Sequence, residues 1–144
     1  MNIRKATKRD FNRIFEIMKN EYIKAPYFEK WEKKGAFKTI KYYLSVGNCF
    51  VAVFEKKVIG FVIFREEDYN IGPNIIVEEL VIDSDYQGKG VGRSLMDEVE
   101  KYSKKKKAVQ ILLTTHRGAP AYKFYIKVGY KPVKSTVFLK KELK

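Results

Sequence analysis

The chain has 144 residues, a length for one domain, and its 45% apolar residues, with ten Phe, ten Tyr and one Trp, supply a sizeable core. Thirty basic residues against 17 acidic ones give a formal charge of +13, which favours anionic partners such as phosphorylated cofactors, nucleic acid or membrane surfaces. One cysteine, Cys49, excludes an intrachain disulfide; with one histidine, His116, it leaves no ligand cluster for zinc or iron, so no metal is expected. The N-terminal MNIRKATKRDF lacks signal-peptide character, and no apolar run approaches the ~18–20 residues of a membrane span. The expectation is a soluble, cytoplasmic protein with no membrane partner.

Residues 2–6 read as a short strand. Thr7 and Asp10 are spaced as a variant capping box, opening a helix on which Phe11, Ile14, Phe15, Met18 and Tyr22 recur at helical spacing. A second helix is expected over 31–45, ending near Gly47. CFVAVFE (49–55) and VIGFVIF (58–64) read as strands across a tight turn at Lys56 and Lys57. A Gly-Pro loop leads to a further strand over 74–82. A glycine-rich loop follows, then a helix over 90–104 with Val91, Leu95, Val99 and Tyr102 on one face. VQILLTT (109–115) reads as a buried strand, 119–128 as a short helix ended by Gly129, and 130–142 as a closing strand or two. Lys104 to Lys107 reads as a solvated helix end. The order predicts an α/β (α+β) class: a mixed, mostly antiparallel twisted sheet flanked by helices, in a single domain over 1–144.

Charge is distributed unevenly. Residues 66–85 hold Glu66, Glu67, Asp68, Glu78, Glu79, Asp83 and Asp85 and no Lys or Arg, so this segment carries −7 and the remainder +20. The glycine-rich stretch DSDYQGKGVGRS (83–94) lies at its end, between an apolar strand and a helix. A strand, a glycine turn and a helix start make an anion site. Free N–H groups and the helix dipole point outward there, and glycines let the backbone take φ > 0. The spacing fits neither a P-loop nor a Rossmann fingerprint, because Arg93 and Leu95 stand where the last Rossmann glycine would be.

What the loop does fit is Q-x-x-G-x-G, at Gln87, Gly90 and Gly92. With FYIKVGY (124–130) and the order of elements, the chain resembles the GCN5-related N-acetyltransferase (GNAT) family over nearly its whole length. The resemblance implies acetyl-CoA as co-substrate. It implies that Gln87, Gly88, Lys89, Gly90, Val91 and Gly92, with the N–H of Arg93 and Ser94, wrap the pyrophosphate. Leu80, Val81 and Ile82 would offer backbone groups to the pantetheine arm, and Tyr125 would protonate the departing thiolate. Many members carry an Asn before the last helix; here Gly118 stands near that place. A homodimer is compatible with the family.

Acetyl transfer needs a neutral amine, yet a lysine-like amine of pKa ~10.4 is almost wholly protonated at neutral pH, so a base is required. Glu78 and Glu79 are the candidates. Strand alternation places Glu78 on the side of Leu80 and Ile82, which favours it as the residue facing substrate. The acidic strip would favour a cationic acceptor amine: a polyamine, a lysine side chain or a basic peptide. The acceptor is thus a small molecule or a protein. Two other classes stand against the enzyme: a non-catalytic acyl-CoA sensor, and a basic nucleic-acid-binding protein. No recognition motif supports the latter, so no specific nucleic acid is expected.

Overall fold

The computed structural model describes residues 1–144, and the chain divides into two compact units, Met1–Thr114 and Thr115–Lys144. The first unit holds a five-stranded sheet in the order β1 (Asn2–Lys5), β2 (Gly47–Phe54), β3 (Lys57–Glu67), β4 (Asn74–Ile82), β5 (Gln110–Leu113). All neighbours pair antiparallel except β4 and β5, which run parallel. Helices α1 (Phe11–Tyr22) and α2 (Lys33–Val46) lie between β1 and β2 in the chain, and α3 (Val91–Lys105) links β4 to β5. The second unit contains α4 (Pro120–Lys127). This is the mixed, mostly antiparallel α/β class that the sequence predicts.

The centre of the sheet explains why helices must cover both faces. Val58 to Phe64 of β3 are buried throughout, with no polar alternation to leave one face in water. Phe61 and Ile63 pack with Ile14, Ile17 and Met18 of α1 and Ala36 and Ile40 of α2. Helix α3 buries Val91, Leu95, Met96 and Val99, and its Tyr102 meets Phe64 edge-on at 5.0 Å. Cys49 lies in the first of these cores, where burial pushes its thiol up to about 12 and keeps it neutral.

The predicted pair caps a short 3-10 turn, Lys8–Asp10, that leads directly into α1. The backbone N–H of Thr7 donates to Asp10 Oδ2 at 2.7 Å, and Arg4 grips the same carboxylate through two bonds of 2.8 and 3.0 Å. Arg4, first, and the Thr7 N–H hold the buried Asp10 carboxyl below its usual range. Its stabilising contribution is therefore present above the unfolded pKa and is lost as pH falls through the lower folded value. Asp10→Asn is expected to cost about 1–3 kcal/mol at neutral pH, since it leaves charge-assisted bonds unmade. Urea melts at neutral pH and near pH 3 should show that difference shrinking in acid.

Three local expectations are corrected. The β2–β3 turn is one residue earlier than predicted, at Glu55 and Lys56, both with positive φ (47° and 64°), the backbone of a two-residue hairpin turn matched to strand twist. The strand β5 is partly exposed rather than buried, because it is the sheet's edge. Residues 130–142 form no strand. Val137, Phe138 and Leu139 are exposed, and strand-prone side chains without a ladder partner do not make a strand.

Candidate active site

The feature that shapes the site is an irregularity in β4. Pairing with β5 runs from Asn74↔Gln110 to Val77↔Leu113 and stops there. At the same point the pairing with β3 slips: Val77 lies opposite Phe64 and Glu79 opposite Ile63, so Glu78 is an extra residue, a β-bulge. Residues 79–82 then stay paired with β3 alone within the sheet. The Asp83 N–H bonds the Ile59 carbonyl at 2.9 Å, which sets the phase of that ladder. By antiparallel alternation the backbone groups of Val81 are directed to β3, and those of Leu80 and Ile82 to the open side.

The glycine loop begins where the open edge ends. Asp83 caps a short turn over Ser84–Tyr86, accepting from the Asp85 N–H at 3.0 Å, and Arg13 of α1 pairs with the same carboxylate. The Gln87 amide donates to the Ile82 carbonyl at 2.8 Å and to Glu21 of α1 at 2.9 Å. Its side chain thus anchors the loop to the strand end and to α1. Gly88 and Gly90 have φ of +74° and +83°, where L side chains are strained, whereas Gly92 sits inside the first turn of α3. Ser94 N–H to the Gly90 carbonyl at 3.0 Å is the first bond of the helical ladder, so the N–H groups of Val91, Gly92 and Arg93 precede it. Lys89 reaches back to the Asp85 carbonyl at 3.2 Å and lies over the Tyr86 ring. Loop and edge together suit a ligand with a phosphorylated end and a long arm carrying amide groups.

The two carboxylates of β4 sit in different surroundings. Glu78 accepts from Arg65 Nε of β3 at 2.7 Å, and Arg65 also pairs with Glu67 at 3.3 Å. Glu79 has no cation beside it; it accepts a hydrogen bond from the Tyr22 hydroxyl. Half-buried, with Glu29 and Glu78 nearby, its carboxyl is pushed up to about 7, chiefly by desolvation, against the lowering effect of the Tyr22 bond. Tyr43 of α2 feels both carboxylates. Alternation along an unbroken strand would separate the pair; the bulge at Glu78 removes that premise. The acidic strip is also largely compensated: Glu66 with Lys106, Glu67 and Glu78 with Arg65, and Asp83 with Arg13 all form ion pairs.

In the second unit Tyr125 is buried on α4, with its ring edge-on to Tyr130 at 5.6 Å. His116 Nδ1 accepts from the Gly118 N–H at 2.9 Å, a loop contact. Sequence reasoning missed Glu21, Arg13 and Arg65. Arg65 faces Glu78 across a hairpin and could have been found from strand register. Glu21 and Arg13 act across separations of 66 and 70 residues, and no local pattern signals them.

Residues 45–132 match the acetyltransferase (GNAT) domain. The chain therefore belongs to the GNAT family, a class of N-acetyltransferases. Over 99 residues it is 36% identical to N-acetylaspartate synthetase of Xenopus tropicalis, covering 65% of this chain and 35% of that protein, so it spans about a third of that relative's length. Among solved structures, a possible acetyltransferase from Clostridium difficile 630 superposes with a TM-score of 0.84 at 18% identity, covering 99% of this chain and 98% of that one. The structure of AAC(6')-Iy in complex with the bisubstrate analogue CoA-S-monomethyl-acetylneamine gives 0.77 at 17% identity, covering 98% of this chain and 97% of that one. At these identities the likeness is one of fold. No helix is long and apolar enough to cross a membrane.

Proposed function

We propose that the protein moves an acetyl group from acetyl-CoA to a primary amine, with Glu79 as the base. The observation that carries this reading is the coincidence, on one strand, of an open backbone edge, a glycine loop at its end and a half-buried carboxylate with no cationic partner. The bound thioester supplies an activated carbonyl. The N–H groups of Val91, Gly92 and Arg93, with the loop backbone of Gly88 to Gly90, would hold the pyrophosphate; Lys89, Arg93 and Ser94 lie beside it in the chain. Leu80 and Ile82 would pair with the amide-bearing arm, and Val81 supports them by its bonds to β3. Gln87 would keep the loop in register with Ile82.

Glu79 would take a proton from the attacking amine, directly or through water. An N–C bond then forms, the C–S bond breaks, and the sulfur leaves as thiolate. Tyr125 is proposed to return a proton to that sulfur, on the strength of the family motif at FYIKVGY. A thiol of intrinsic pKa ~8.5 is a good leaving group. Tyr125→Phe should therefore lower kcat by about tenfold or less, with KM little changed. Stopped assays of free-thiol release check this.

For the acceptor we favour a cationic amine, a polyamine, a lysine side chain or a peptide amine, drawn to Glu79 and Glu29 among the rings of Tyr22, Tyr27 and Tyr43. A second reading, an amino-acid acceptor, is favoured by the name of the relative from Xenopus tropicalis. The test is a panel of spermidine, a lysine peptide, aspartate and an aminoglycoside with acetyl-CoA, products read by mass spectrometry. Aspartate as the best acceptor would replace the first reading with the second. Binding of acetyl-CoA with no turnover on a wide amine panel would make the domain an acyl-CoA sensor.

A further inference from the structure

Helix α1 ends on two adjacent residues with different partners. Glu21 takes the amide of Gln87, the anchor of the glycine loop, and Tyr22 donates its hydroxyl proton to Glu79 Oε2. Tyr22 is itself held firmly. Its ring meets Tyr27 edge-on at 5.1 Å, its carbonyl accepts the Glu29 N–H at 2.8 Å, and it packs against the core shared by α1, α2 and the sheet. The bond to Oε2 fixes the tilt of the carboxylate. A phenol can donate to a carboxylate but gains nothing comparable from a protonated one, so the contact favours the ionised form.

We propose that Tyr22 is a positioning residue for acetyl transfer: from the end of α1 it orients the Glu79 carboxylate through its hydrogen bond to Oε2. This rests on the reading of Glu79 as base. The groups that face Glu79 are Tyr22 of α1, Tyr27 and Glu29 of the segment after it, Tyr43 of α2, and Glu78 on β4 with its partner Arg65 on β3. Desolvation, first, and the nearby carboxylates oppose ionisation, Arg65 is occupied by Glu78 and Glu67, and Tyr22 is the donor that bonds Glu79. Because Glu21 binds the glycine loop from the neighbouring position, one helix end also fixes the distance between the cofactor loop and the base.

The experiment is Tyr22→Phe, with Glu79→Gln as reference, in the whole chain. Carboxyl carbons of glutamate are labelled with carbon-13 and titrated by NMR, and the resonance missing in Glu79→Gln identifies Glu79. The wild-type signal should titrate near 7, and the Tyr22→Phe signal about one pH unit higher. In parallel, the ratio of kcat/KM for Tyr22→Phe to wild type is followed with the best amine of the acceptor panel. The amine's own ionisation cancels in that ratio. It should fall to about a tenth in acid and return toward one at high pH. A signal that does not move, or a ratio that is the same at every pH, overturns the positioning role and leaves Tyr22 as packing only. Full activity in Glu79→Gln would instead sink the base assignment, whatever Tyr22 does to the titration.

Discussion

Glu79→Gln should lower kcat/KM for acetyl transfer by about 10²- to 10⁴-fold, the usual weight of a positioned base, while acetyl-CoA binding stays near wild type. The amide matches the carboxylate in size and can still accept from the Tyr22 hydroxyl, so the loss reports proton transfer rather than collapse of the site. The pH profile gives a second reading. A base is competent only when ionised, so wild-type kcat/KM should rise with pH through about 7, and that step should vanish in the variant. Stability should move the other way. A carboxyl whose pKa is raised by folding favours the fold in acid. That advantage fades as pH climbs from the unfolded carboxylate range to about 7. Glu79→Gln escapes that decline, so its Tm should equal or exceed wild type at pH 8. Glu78→Gln, which breaks the pair with Arg65, should do neither. A Glu78 variant that loses the base step while Glu79→Gln keeps it would exchange the two roles.

Gly90→Val should weaken acetyl-CoA and CoA binding by about 10- to 100-fold in calorimetric titration. Gly90 stands at the cap of α3 with φ +83°, a conformation costing a β-branched residue of the order of 1–3 kcal/mol. Nothing lies within 4 Å of a Cβ built there, so the penalty is one of backbone shape and not of collision. Relieving it turns the N–H groups of Val91, Gly92 and Arg93 away from their common aim. Gly92→Ala is the internal control: Gly92 lies within the helix, where alanine is at ease, and a much smaller loss is expected. Equal losses at both positions would mean that bulk near the ligand, rather than loop conformation, controls binding.

The readable part of this protein was the part whose cause is local. Helical spacing along Phe11 to Tyr22 and Val91 to Tyr102 placed α1 and α3, and the Thr7–Asp10 pair marked the short turn that leads into the first. The backbone shape of the loop was also legible, because positive φ and free helix-start N–H groups follow from glycines between a strand and a helix. The closing strands over 130–142 were misread because strand propensity is a statement about partners, and composition names none. The choice between Glu78 and Glu79 was beyond the sequence for the same kind of reason. Alternation assumes a regular strand, and the bulge at Glu78 exists because the pairing of β3 with β4 shifts by one residue there.

By itself, then, the sequence determined the α/β class, the order of the elements through α4 and the place of the glycine turn ahead of α3, since turn chemistry and hydrophobic period act over a few residues. Only the tertiary structure decided which carboxylate stands without a cation, which backbone edge stays open, and that Tyr22 and Glu21 bind Glu79 and the glycine loop from one helix end. The last of these depends on contacts across 57 and 66 residues, and such contacts arise from packing, not from neighbourhood in the chain.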